Sequence, residues 1–226
     1  MSLFVNAKAK CGECGAETEV KLAASVNAGR RPDLRQEILD GTFQAQTCPV
    51  CAARLRLPVH LSYLDVDRGQ WILAEGVELL PQWQSVEEDA RAVFERSYGS
   101  AAPKPARDLG AGLRPRVVIG WAALREKLLC DELGLEDVSL ELLKIAMIRT
   151  VPDQPVADTT ELRLTGGDGA TLHFAWLETA SEQELATLSV KRELYDDIAA
   201  DPAPWAALRA DLDERLFVDL KRLIFA

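Results

Sequence analysis

Apolar and polar positions change period several times along the chain, and each change predicts an element. The first 60 residues read as strands running into two tight cysteine turns, with a short helix between them. Pro32 at its first position, Leu34, Ile38 and Leu39 on one side, and Gly41 as the closing residue predict about two turns over residues 32–40. From Leu57 the period drops to two. Val59, Leu61 and Tyr63 alternate with smaller or polar neighbours, Asp67-Arg68-Gly69 supplies a turn, and Trp71-Ile72-Leu73 returns, which predicts a β-hairpin. Ser85 with Glu88 forms a capping box, and Val86, Ala90, Val93 and Phe94 give a helical stripe to about Ser97 that is expected to pack on the hairpin.

Residues 99–116 hold three prolines, three glycines and almost no large apolar group, so a linker is expected there. Two helices follow, at about residues 120–133 and 138–149, joined around Gly134. The second is apolar nearly all round, with Ser139, Glu141 and Lys144 as its polar interior positions, so it belongs either in the centre of a second core or in an oligomer interface. Leu162 and Leu164 on one strand, and Leu172, Phe174 and Trp176 on the next, predict a hairpin turning at Gly166-Gly167-Asp168-Gly169. Trp205, Leu208, Leu212, Leu216, Leu220 and Leu223 form one helical stripe; Phe217 and Val218 lie off it and allow a break. The expected class is α+β: a β domain of zinc-ribbon type with an inserted helix over residues 1–98, the linker, and an α+β domain over residues 117–226 built from a helical hairpin, a β-hairpin and a C-terminal helix.

Composition changes this picture in one respect. At 226 residues, 48% hydrophobic and 27% charged, the chain is an ordinary globular one, and its net charge of -10 opposes general attraction to nucleic acid or anionic membrane. The charge is uneven: residues 1–60 carry 8 Lys and Arg against 6 Asp and Glu, leaving 18 against 30 for the remainder. Arg30, Arg31, Arg35, Arg54 and Arg56 therefore support a nucleic-acid alternative, although Phe43 is the only aromatic residue of positions 5–60 on which a base could stack. No apolar run approaches the roughly 18 residues of a membrane span, and the first residues do not pattern as a signal peptide, so a cytoplasmic location without membrane attachment is expected.

The cysteines carry the chemistry. Cys11-Gly12-Glu13-Cys14 and Cys48-Pro49-Val50-Cys51 are two Cys-x2-Cys turns separated by 33 residues. A two-residue gap lets both sulfurs of a turn face one point, and two such turns place four thiolates at the corners of a tetrahedron, which suits one structural zinc ion. Such a site is closed, because four cysteines leave no position for a catalytic water. Lys8, Lys10, Arg54 and Arg56 flank the turns and can offset the negative charge. A thiol-based redox or zinc-release switch and another metal such as iron are the lesser readings of the same four residues.

The two turns with Pro49 in the second, the segments Ser25-Val26-Asn27, Pro32-Asp33-Leu34 and Ile38-Leu39-Asp40-Gly41, and the strands after them resemble the CpXC family of bacterial proteins. The resemblance covers residues 5–98 and extends more weakly to Lys144. It implies a zinc-ribbon-like module and supplies no reaction. Gly12 stands where the family's name-giving motif has proline, and Ala52 replaces the glycine often found after the last cysteine. Both departures touch turn geometry and neither removes a ligand.

The remaining candidates read as structural. Cys130 lies in a predicted helix as a packing thiol, and His60 and His173 are strand residues without a nearby second ligand. Gly166 through Gly169 lacks the Lys-Ser/Thr ending of a phosphate loop, and Asp65 and Asp67 lack the later acidic positions of a calcium loop. With no nucleophile and base pair in view, the sequence points to a non-enzymatic interaction or regulatory protein whose partner is another protein or a second copy of itself.

Overall fold

The computed structural model describes residues 2–55 and 57–223, in which the alternating segments pair as a five-stranded sheet, a three-stranded sheet and a separate two-stranded hairpin. The elements in chain order are β1 (Leu3–Lys10), β2 (Glu17–Asn27), α1 (Pro32–Leu39), β3 (Gln46–Thr47), β4 (Arg54–Leu55), β5 (Leu61–Asp65) and β6 (Gln70–Glu75). There follow α2 (Trp83–Tyr98), α3 (Lys104–Gly110), β7 (Arg114–Ile119), α4 (Trp121–Glu132) and α5 (Asp137–Thr150). The chain then forms β8 (Thr160–Gly167), β9 (Thr171–Glu178), β10 (Glu184–Lys191), α6 (Arg192–Ala200) and α7 (Ala206–Asp213). The protein is α+β with a zinc-ribbon-like start, as the pattern predicts.

The large sheet has the order β1-β2-β5-β6-β7. β2 joins the ribbon to the rest: its first part pairs antiparallel with β1, and its last residues Ser25, Val26 and Asn27 pair parallel with Ser62, Tyr63 and Leu64 of β5. β5 and β6 form the expected hairpin.

The stretch 99–116 is not the expected linker, and the expected boundary between residues 98 and 117 is crossed by strand pairing. α3 occupies residues 104–110, and β7 lies parallel to β6, with Gln70 opposite Arg114 and Glu75 opposite Ile119. The prolines and glycines that suggested a loop have local roles here. Pro115 sits on the outermost strand of the sheet, where a missing N–H is tolerated. At Gly110 a Cβ would lie 2.5 Å from the Cβ of Tyr98, so α3 can pack on the end of α2 only with glycine there.

Alternation along the strands gives the sheet two apolar faces. Tyr63, Ile72, Ala74 and Val118 face Leu34 and Ile38 of α1 and Leu124 and Leu128 of α4. Trp71, Val117 and Ile119 face Trp83, Val86 and Ala90 of α2, together with Phe217. α2 begins at Trp83 without a side-chain cap, so Ser85 and Glu88 are interior and the expected capping box does not form. Burial of Trp83 outweighs a cap worth about 1 kcal/mol.

α4 and α5 form the expected helical hairpin, and α5 is buried within this chain. Leu140, Leu143 and Met147 pack on Leu162, Leu164, Phe174 and Trp176 of the small sheet, while Val138 and Leu142 pack on Leu212 and Val218. The predicted C-terminal helix ends at Asp213. Beyond it Phe217 and Val218 point into different apolar clusters, a period-two pattern, and the Leu216 carbonyl accepts the Val117 N–H at 2.9 Å along the outer edge of β7. Strand β10 and helix α6 lie outside the elements the pattern analysis predicts, although Leu188 and Val190 alternate on β10 and Tyr195 and Ile198 share one side of α6, all packing at the α5 core; β10 is otherwise exposed on the edge of its sheet.

Charge is buried where these layers meet. Lys144 Nζ lies 2.7 Å from Glu141 and 3.0 Å from Glu126, and Arg163 bridges Glu126, Glu161 and Asp219 at 2.7 to 3.0 Å. Backbone amides complete the carboxylates: Leu164 donates to Glu126 and Leu220 to Glu141. Burial opposes ionisation of Asp219, yet Arg163 and Lys144 hold its carboxyl below the usual range, and burial raises that of Glu141 against the pull of Lys144.

Candidate metal centre

The ribbon consists of two short antiparallel hairpins whose tips are the cysteine turns. The first joins β1 to β2, where Lys10 pairs with Glu17; the second joins β3 to β4, where Thr47 pairs with Arg54. Their hydrogen bonds repeat. Cys11 N–H donates to the Ala16 carbonyl and Gly15 N–H to the Cys11 carbonyl, each at 2.9 Å; Cys48 N–H donates to Ala53 at 2.8 Å and Ala52 N–H to Cys48 at 2.9 Å. In each turn the residue after the second cysteine takes a left-handed conformation, with φ of 71° at Gly15 and 60° at Ala52. Glycine adopts this freely and alanine only with strain.

This backbone brings the sulfurs of Cys11, Cys14, Cys48 and Cys51 within 4.8 Å of one another, an arrangement that can hold a metal ion. Contacts across the two turns are 3.7 Å for Cys11 to Cys51 and 3.6 Å for Cys14 to Cys48. A tetrahedron with metal–sulfur bonds of about 2.3 Å has edges of about 3.8 Å, close to the two cross-turn contacts, so the donor set suits such an ion. Cys11 and Cys48 are buried, whereas Cys14 and Cys51 are exposed. Val20, Leu55 and Leu57 underlie the site with a rim of Ala7, Ala9, Ala16 and Ala53, a small apolar base for so many strand residues.

Amide hydrogens point at the sulfurs. The Cys51 and Val50 amides donate to Cys48 and bring its thiol down to about 7. The Ala53 amide favours ionisation of Cys51, but the facing Cys14 sulfur, burial and the remaining cysteines push that thiol up to about 12. Ionisation is thus favoured at Cys48 and opposed at Cys14 and Cys51, an opposition that a divalent cation would relieve. Lys8, Lys10 and Arg54 are exposed around the turns, and the Lys10 chain passes 3.9 Å from the Cβ position of Gly15. Arg56 lies outside the described residues.

The other sequence candidates take structural positions. Arg35 is buried between α1 and α4, bonded to Glu132 and the Leu128 carbonyl and 3.8 Å from Asp65, so it faces inward. Arg31 is held by Asp33, and Arg54 donates to the Gly41 carbonyl at 2.9 Å; Arg30 is exposed. His60 and His173 are exposed, the first 2.5 Å from Glu75 and the second 2.8 Å from Ser189. Cys130 is buried in the α4–α5 core, which raises its thiol well above the ordinary value. Asp168 accepts the Ala170 and Thr171 amides within its own turn.

Among the described residues no helix is long and apolar enough to cross a membrane. A family model described as CpXC protein matches residues 9–144, which span both cysteine turns, strands β2 to β7 and the helices α1 to α4. No curated protein and no solved structure matches the chain.

Proposed function

The chain belongs to the CpXC family, and we propose that it is a non-enzymatic protein-interaction or regulatory module in which one structural zinc ion fixes the ribbon. Cys11, Cys14, Cys48 and Cys51 would hold the ion. Bound there, it would supply folding free energy, about 10–16 kcal/mol by comparison with small zinc domains. The observation that carries this reading is the closed donor set: four sulfurs within 4.8 Å of one another, 3.6 to 3.7 Å across the turns, with no fifth ligand grouped with them among the described residues, so that an ion held by all four would have no position left for a substrate.

The role of an interaction module draws on what the ribbon exposes. Val50 at the second turn is 70% exposed, and Leu3 and Val5 lie exposed on β1, the outermost strand of its sheet. The partner is another protein or a second copy of the chain, met in a reducing cytoplasm where the cysteines stay unpaired. Elemental analysis of purified protein should give about one zinc per chain, and Cys48→Ser should lose it; iron in its place, or a metal-free protein with an ordered ribbon, overturns the reading. Zinc release by mild peroxide with Cys14 and Cys51 oxidised first would instead favour the redox switch, since these are the exposed pair.

A further inference from the structure

The five-stranded and three-stranded sheets end in four outer strands, β1, β7, β8 and β10, and the chain covers two of them itself. Along β7 the Leu216 carbonyl accepts the Val117 N–H at 2.9 Å. Along β8 side chains meet alternate backbone groups: Lys221 Nζ donates to the Thr160 carbonyl at 2.8 Å, Lys144 Nζ donates to the Leu162 carbonyl at 3.4 Å, and the Leu164 N–H donates to Glu126 at 2.7 Å. β10 has no such cover. Among the described residues, none of its backbone groups bonds outside the ladder with β9, and most of the strand is exposed. An outer strand left open in this way is a template for one more strand.

The residues along β10 say which strand it would accept. β1, the other open strand, carries Lys8 and Lys10 and no acidic residue, so a second β1 would bring those lysines no counter-charge. β10 runs Glu184-Leu185-Ala186-Thr187-Leu188-Ser189-Val190-Lys191, with an acid at one end, a base at the other, and neither charge nor proline between. A bulge between Glu184 and Ala186 decides which face each side chain takes. Glu184, Thr187, Ser189 and Lys191 stand opposite Leu177, Ala175, His173 and Thr171 of β9 and share one face; Ala186, Leu188 and Val190 stand opposite Trp176, Phe174 and Leu172 and share the other. Without the bulge, Glu184 would fall on the face of Leu188, away from Lys191. Both charged residues are exposed, and among the described residues neither has an ion-pair partner.

We propose that β10 is a self-association edge: a second copy of the chain adds its own β10 antiparallel, about a two-fold axis through Leu188, and the two small sheets become one of six strands. The proposal rests on the reading of the chain as an interaction module and gives that module a partner and a surface outside the ribbon. In this register each pair is matched in kind. Leu188 faces the partner's Leu188, Ala186 faces the partner's Val190, Thr187 faces the partner's Ser189, and the bulge brings Glu184 opposite the partner's Lys191. The two-fold repeats the last three pairs, so one strand meeting itself makes two apolar pairs, two hydroxyl pairs and two ion pairs besides the central leucines. Leu188 and Val190, only half-buried at the α5 core, gain apolar neighbours.

The test is sedimentation equilibrium of the full chain from about 1 μM to about 1 mM. The chain should pass from monomer to dimer within that range, because a single strand pair is a small interface. Glu184→Lys and Lys191→Glu, both at exposed positions, each set like charges against each other at both ends of the pairing and should weaken the dimer about tenfold or more. The double variant exchanges the charges and should return to within about threefold of the parent. Melting temperatures identify a variant that fails to fold, and the double variant against either folded single one is comparison enough. A monomer throughout, a dimer indifferent to the single variants, or a double variant no tighter than they are overturns the proposal. Zinc content of the same samples separates this outcome from the metal reading: a monomer with about one zinc per chain sinks the dimer alone and leaves another protein as the partner.

Discussion

At the ribbon tip four ionisable sulfurs are collected by two turns, each closed by its own backbone hydrogen bonds and resting on a small apolar base. In the body of the fold, six ionisable groups, Glu126, Glu141, Lys144, Glu161, Arg163 and Asp219, are collected instead by the packing of α4, α5, β8 and the extended C-terminal segment. Both assemblies crowd charge that water would otherwise solvate, and they differ in what offsets the cost. The body supplies its counter-ions from its own chain inside a large apolar core, so its charges are consequences of a fold that already exists. The ribbon has only a small apolar base, and on the proposed reading an ion from outside would complete its charge balance.

The strongest way to break this comparison is to withhold that ion. With a chelator, or in Cys48→Ser, the ribbon should lose the roughly 10–16 kcal/mol of metal-linked folding free energy while the body keeps its own. Amide exchange should rise over residues 5–22 and 45–55 and stay slow over residues 117–145. The boundary is expected near Ala23, because Ala23 and Val26 of β2 are buried in the main core beside Tyr63 and Leu124. If one cooperative transition melts both regions, the ribbon and the body are a single unit and the distinction fails.

A smaller effect is expected from Lys144→Met, which should act in the opposite sense: body destabilised, ribbon intact. Lys144 is fully buried, and its removal leaves Glu141 without its cation and Glu126 with Arg163 alone. Deleting one partner of a buried ion pair costs about 3–5 kcal/mol, because an uncompensated charge remains inside. Urea denaturation should register that loss while metal content per chain stays unchanged. A near-neutral result would mean that the two carboxylates take up protons at little cost, and that the network contributes little to stability.

The same contrast explains what could be read from the sequence. The four-cysteine cluster was legible because the geometry of each turn is local: a two-residue gap sets the two sulfurs of a turn without reference to the remaining chain. α1 between Pro32 and Gly41, and the turn at Asp168, were legible for the same reason. The buried network was visible only as two polar residues, Glu141 and Lys144, on an otherwise apolar helix, because their partners come from residues 126 and 163. Errors followed where tertiary contacts decide the structure. The stretch 99–116 reads as a linker because neither Pro115 on an outermost strand nor Gly110 against Tyr98 reveals its partner locally. The leucine stripe to Leu223 keeps a helical period, yet Phe217 and Val218 gain more by entering two different cores, and the helix gives way to extended chain.

The smallest expected effect compares the two cysteine turns with each other. Gly15 and Ala52 occupy equivalent positions with nearly equal φ, and the nearest atom to a Cβ on Gly15 is 3.9 Å away, so space does not distinguish them. The difference is backbone strain. An alanine in the left-handed region costs about 1–2 kcal/mol, and glycine's greater freedom when unfolded returns about 0.4–1 of it. Ala52→Gly should therefore stabilise the loaded ribbon by about 0.5–1 kcal/mol, and Gly15→Ala should destabilise it by a similar amount. In competition with a chelator these correspond to metal affinities about two- to fivefold higher and lower than that of the parent. Opposite shifts of similar size would establish that each turn is set by its own backbone. If only one variant moves the affinity, the turns are not equivalent, and the hairpin beneath each must contribute to holding the sulfurs in place.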